Sequence, residues 1–186
     1  MADDGAGPRI APLRPDALTS EQRELIGGGA TPPLNIFLTL ARYPGLLRKW
    51  LPFGGKLLAG GKLAARDREL VILRSAFRCG ARYEWAQHVA IAGTAGLTTE
   101  EIRRVANGPA AAGWSAADAT LLRAVDELVD DHCIGPATWS LLAEHYTTEQ
   151  LIEIPMLAGH YAMLAGVLNS LGVQPESADL PGLGEA

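Results

Sequence analysis

The residues best able to do chemistry lie between Arg66 and Ala95 of this 186-residue chain. Glu84 and His88 stand at i and i+4, so on a helix both project from one face. A carboxylate at that spacing holds an imidazole in one tautomer and raises its basicity, which makes a workable general acid and base. Such pairs also decorate solvated helices, where they add only a few tenths of a kcal/mol. Glu69 lies in the charge run Arg66-Asp67-Arg68-Glu69, at a helix N-terminus where the dipole favours acids. It shares a helical face with Leu73, Ala76 and Gly80, and a carboxylate turned toward a core needs a partner. If the two helices form a hairpin turning at Gly80, Glu69 approaches His88. The candidate catalytic residues are therefore His88, Glu84 and Glu69. His88 is the proton donor, Glu84 orients it, and Glu69 positions His88 or a water.

Around them stand candidate substrate-contacting residues. Tyr83 and Trp85 flank Glu84 as walls of an apolar pocket. Arg74, if it points inward, holds a substrate carboxylate. Cys79 precedes the turn glycine and suits a small packing residue better than a nucleophile. His160 sits on the apolar last helix. Cys133 follows Asp130-Asp131-His132, whose adjacent side chains point in different directions and do not converge on a metal. There is no HExxH and no paired Glu-x-x-His, so neither a metal nor a cofactor is expected.

These residues need helices to carry them. Thr19-Ser20-Glu21-Gln22, Thr98-Thr99-Glu100-Glu101 and Thr147-Thr148-Glu149-Gln150 are capping boxes that open helices. Pro44 and Pro136 suit first helical positions. Pro52 with Gly54-Gly55 should bend or break the third helix, and Pro155 should kink or delay the last. Glycines after Ile26, Cys79, Ala95 and Leu171 mark the ends. No run alternates with period 2, so the chain reads all-α, with about eight or nine helices. Residues 1–18 read as a loose arm, 19–172 as one helical domain and 173–186 as a tail. Arg68–Ile72 before Cys79-Gly80 is faintly echoed by Glu149–Glu153 before His160-Tyr161, as two halves about a pseudo-dyad would be.

Composition narrows the partners. The net charge of −5 and the scattered basic residues argue against nucleic acid. Two distant cysteines give no disulfide framework, which fits a reducing compartment. The acidic N-terminus is unlike a signal peptide. The apolar stretch Ile154–Leu168 is shorter than a bilayer span. A cytoplasmic protein with no membrane partner is expected.

The block RDRELVILRSAFRCGARYEWAQHVAIAGTAGLTTEEIRRV, Arg66 to Val105, resembles the carboxymuconolactone decarboxylase family, which includes the alkylhydroperoxidase D branch. The flanking NIFLTLARYPGLLRKWLPFGGKLL and ATWSLLAEHYTTEQLIEIPMLAGHYAMLAGVLNSLGVQP are similar to its longer single-chain members. The resemblance implies an alkylhydroperoxidase D-like helical bundle and a homo-oligomer, dimer- or trimer-based, with sites near subunit contacts. It also implies that His88 and a nearby carboxylate line the pocket. The peroxidase branch has a Glu, a Cys-x-x-Cys and a His. Here the Glu and His fall on Glu69 and His88, but the cysteine positions fall on Ala81 and Glu84. A dithiol peroxidase needs an attacking and a resolving thiol, so that chemistry is not expected. The expected function is a cofactor-independent acid/base lyase, nominally a decarboxylase of a small cyclic carboxylated compound. The alternatives are a related isomerase, dehydratase or cyclase, or a ligand-binding family member without catalysis.

Overall fold

The structure is a computed structural model and describes residues 7–27 and 32–176. Among these residues the chain forms nine α-helices and no strand. They are α1 (Ser20–Ile26), α2 (Asn35–Leu40), α3 (Pro44–Ala59), α4 (Ala65–Arg78), α5 (Arg82–Thr94), α6 (Thr99–Asn107), α7 (Ala116–Asp130), α8 (Pro136–Ala143) and α9 (Thr148–Leu171). The three capping boxes form as expected on α1, α6 and α9, each with both reciprocal bonds. Pro44 and Pro136 take the first helical positions of α3 and α8. At Cys79-Gly80 the chain turns, with Gly80 at φ 62°, where a side chain would be strained.

Neither proline interrupts its helix: α3 runs through Pro52, and α9 starts at Thr148 and runs through Pro155. Pro52 is exposed, so the backbone carbonyl it leaves unbonded is satisfied by water. Gly54 stays in the helix for a packing reason: a Cβ there would lie 3.4 Å from His160 Nε2. The apolar stretch read as Ile154–Leu168 belongs to a 24-residue helix that is long and apolar enough to cross a membrane by length and composition. In this fold its inner face packs on α3, α4, α7 and α8.

α4 is the hub. Leu70, Val71, Ile72, Leu73 and Ala76 are fully buried in the main core, with α5, α7 and α9 against them. A second, smaller cluster joins Ile36, Tyr83, Leu164, Leu168 and Val173. The segment expected to be a loose arm is tied down where it is described. The N–H groups of Arg9 and Ile10 donate to the Leu171 carbonyl, and Leu18 is buried. The start of the expected tail is held too, since the Glu176 carboxylate accepts from the Asn35 N–H and the Tyr83 hydroxyl.

Candidate active site

The α4–α5 hairpin brings Glu69 and His88 together across the turn. His88 Nδ1 lies 2.8 Å from Glu69 Oε2, with Glu69 fully buried and His88 nearly so. The other carboxylate oxygen, Oε1, accepts from Arg68 Nε at 2.9 Å. The expected orienting roles therefore change hands: Glu69, not Glu84, fixes the imidazole. The reason is topological. A hairpin can place a whole residue on either side of the ring, whereas the i, i+4 pair leaves Glu84 free to turn inward.

Glu84 does turn inward. It is 3% exposed, and neither of its oxygens has a hydrogen-bond partner. Burial pushes its carboxyl up to about 9, so it is a neutral acid at pH 7. His88 Nε2, on the far side of the ring from Glu69, has no bond to any described residue. It is also not among the atoms sealed from solvent without a partner. The arrangement is an imidazole held at one nitrogen and open at the other, beside a protonated carboxylic acid. Such a set can move a proton to or from a bound molecule.

Tyr161 adds a polar group that the sequence reasoning passed over. Its ring meets His88 edge-on at 5.1 Å. Burial, then the charges of Glu69 and Glu84, push its hydroxyl well above the ordinary phenol range, while Arg68 acts the other way. His160 meets Tyr161 edge-on at 5.4 Å and stacks on Trp50 at 5.8 Å, with Phe53 at its edge. Burial lowers the affinity of His160 for a proton. His160 thus belongs to an aromatic wall contributed by α3 and α9. Trp50 and Phe53, three residues apart on α3, were the visible signal for that wall.

Other expected contacts lie elsewhere. Arg74 Nε and Nη2 donate to Asp126 at 2.6 and 2.8 Å, and Nη1 donates to the Val105 and Ala106 carbonyls. It ties α4 to α6 and α7 and is not free for a substrate carboxylate. Trp85 is fully buried in the main core beside Phe77. The Tyr83 hydroxyl accepts from the Ile36 N–H and donates to Glu176, so the ring braces α2 rather than walling the site. Cys79 is half-buried, and burial and then the Glu84 charge push its thiol up, which disfavours a nucleophilic thiolate. Among the described residues no group of three or more His, Cys, Asp or Glu side chains converges as a metal site.

Solved structures share this fold over nearly the whole chain. An uncharacterized peroxidase-related protein from Ralstonia eutropha JMP134, with an alkylhydroperoxidase AhpD core, superposes with TM-score 0.80 at 21% identity, covering 92% of this chain and 94% of its own. A peroxidase-related protein from Silicibacter sp. TM1040 gives TM-score 0.79 at 15% identity, covering 98% of each chain. The debrominase Bmp8, as a cysteine-to-alanine variant in complex with 2,3,4-tribromopyrrole, gives TM-score 0.74 at 16% identity, covering 91% of this chain and 92% of its own. No curated protein matches the chain in sequence. The fold is that of the alkylhydroperoxidase D-like helical proteins. Residues 44–127, from the start of α3 into α7, match the Carboxymuconolactone decarboxylase family.

Proposed function

We propose that this chain is a carboxymuconolactone decarboxylase-like, cofactor-independent acid/base enzyme acting on a small cyclic carboxylated compound, nominally as a decarboxylase. The supporting observation is the 2.8 Å bond between Glu69 and His88 Nδ1, which leaves Nε2 as the working nitrogen. In loss of carbon dioxide, the bond from the ring carbon to the carboxylate breaks and its electron pair stays on the carbon, delocalised into a conjugated carbonyl. An imidazolium at His88 then gives that carbon its Nε2 proton, and solvent returns one to His88. Glu69 offsets the transient imidazolium charge, and neutral Glu84 donates a hydrogen bond to the enolate oxygen. An isomerase, dehydratase or cyclase would use the same parts.

The ring-shaped ligand of the debrominase supports a small, flat substrate against the wall of His160, Trp50 and Phe53. Thiol-based chemistry of a two-cysteine kind is disfavoured, because Ala81 and Glu84 occupy the cysteine positions of the motif. The enzyme is proposed to work as a cytoplasmic homo-oligomer without nucleic-acid or membrane partners.

Turnover of a panel of cyclic carboxylic acids by His88→Gln and Glu69→Gln tests the assignment. Each variant is expected to lose roughly 10²- to 10⁴-fold in kcat. Wild-type rates in both would sink it.

A further inference from the structure

Three polar groups near Glu69 have no described protein partner. The Nε of Arg68 is spent on Glu69, but its Nη nitrogens bond no described residue. The Arg68 side chain is 17% exposed, and its Nη atoms are not among the buried unpartnered atoms, so they reach open space. The Tyr161 hydroxyl likewise has no described partner and is not sealed off. His88 Nε2 is the third open group, an acceptor in the neutral ring and a donor in the imidazolium. One carboxylate orders two of the three: Glu69 accepts from Arg68 on Oε1 and from His88 on Oε2. The guanidinium and the imidazole are thus anchored on one carboxylate, and the His88 and Tyr161 rings touch edge-on.

We propose that Arg68 and Tyr161 form the receptor for a substrate carboxylate that does not react, while His88 Nε2 works on a neighbouring carbon. A planar guanidinium fork matches a carboxylate in two parallel bonds. With Nε committed to Glu69, the two Nη nitrogens present such a fork outward. A fork of this kind favours a charge that persists through the reaction. Were it to grip a carboxylate about to leave as neutral carbon dioxide, it would stabilise the ground state over the transition state. The anion that Arg68 holds is thus one that the product retains. This assignment builds on the acid/base role of His88 but concerns a different pair of residues.

Binding of matched pairs tests it without turnover. The probes are benzoate against benzamide and pyrrole-2-carboxylate against pyrrole-2-carboxamide, followed by calorimetry or by chemical-shift titration of the His88 ring. Wild type is expected to bind each carboxylate at least about 10-fold more tightly than its amide, as charged hydrogen bonds do. Arg68→Gln should bring that ratio close to 1 with amide affinity unchanged, and Tyr161→Phe should lower it severalfold. Should Arg68→Gln fail to fold, Arg68→Lys keeps the positive charge beside Glu69 but loses the fork, and its ratio should fall to roughly 3-fold. His88→Gln should keep the wild-type ratio even if its turnover shows the acid/base assignment to be wrong. Equal wild-type affinity for both members of each pair, no carboxylate binding up to about 10 mM, or an undiminished ratio in the Arg68 variants would overturn the receptor.

Discussion

Glu84 is the residue at which burial has the largest chemical consequence. Its carboxyl, pushed up to about 9, keeps its proton in the folded chain but loses it above about pH 4.5 in the unfolded one. Between those values the folded state binds more protons, so stability falls as pH rises. The contribution of Glu84 is complete below about pH 4.5 and is lost progressively as pH approaches 9. Glu84→Gln removes the penalty. It should raise unfolding stability at pH 7 by up to about 3 kcal/mol, the equivalent of the pKa displacement remaining at that pH, while kcat falls by roughly 10- to 10³-fold. Urea unfolding of both proteins from pH 5 to 9 checks this, and parallel stability curves would show that Glu84 ionises freely. Type and spacing alone were enough to single out Glu69, Glu84 and His88 as candidates. Their division of labour was not legible, because the bond between Glu69 and His88 depends on how two helices pack across a turn. The substrate role expected of Arg74 failed for a related reason. Only the position of α7 shows that this side chain faces Asp126.

At the scale of elements, α4 is held from two sides by ion pairs, and these set the hairpin that carries the site. Arg66 donates to Asp118 at 2.7 Å and to Glu101 at 2.6 Å, joining α4 to α7 and α6. Deeper in the same interface, Arg74 holds Asp126 and two carbonyls at the end of α6. Gly108, at φ 85°, lets that chain end approach closely, since a Cβ there would lie 2.9 Å from Arg74 Nη2. Arg74→Met leaves Asp126 with Arg78 alone and the Val105 and Ala106 carbonyls without their donor, and should destabilise the fold by about 2–3 kcal/mol. The carboxylate-to-amide affinity ratio of the surviving folded protein should not change, because Arg74 does not reach the site. A thermal melt paired with the benzoate titration separates the two effects, and a lost ratio with an intact melt would return Arg74 to substrate binding. Helix starts were readable because caps and prolines act locally: Thr19, Thr98, Thr147, Pro44 and Pro136 all stand where short-range rules place them. At Pro52 and Pro155 local rules allowed a break or a late start, and the helices nonetheless continue, because a single lost backbone bond is small against the packing of a long helix. The faint repeat also divides here. Gln150 stands where Glu69 does in the echo, but its amide donates to the Lys62 carbonyl and meets no histidine.

The whole molecule leaves one apolar face uncovered. Tyr43 and Leu46 on α3 are 66% and 57% exposed, and Met163 on α9 is 50% exposed. With Ile10, Leu47 and Val167 they border a cleft of about 350 Å³. Along the same helix Met156 is also exposed, and a Cβ at Gly159 or Gly166 would meet nothing. Methionines at 156 and 163 alternate with glycines at 159 and 166 at helical spacing, so large and small positions succeed one another along one line. Such a line is complementary to itself when a second copy crosses it about a two-fold axis, each methionine entering the gap over the partner's glycine. A second copy is therefore the expected cover, and it would close the α3–α9 edge on which Trp50 and His160 stand. Met163→Lys places a charge at the centre of that line and should weaken self-association by about 30-fold or more, in the range of an interface hot spot. Its thermal stability, measured in dilute solution, should change little, because the residue is half exposed within the single chain. Light scattering over a concentration series reads the change directly. A wild-type protein that stays monomeric at high concentration, or a Met163→Lys variant with the wild-type mass throughout, would show that this face has another purpose.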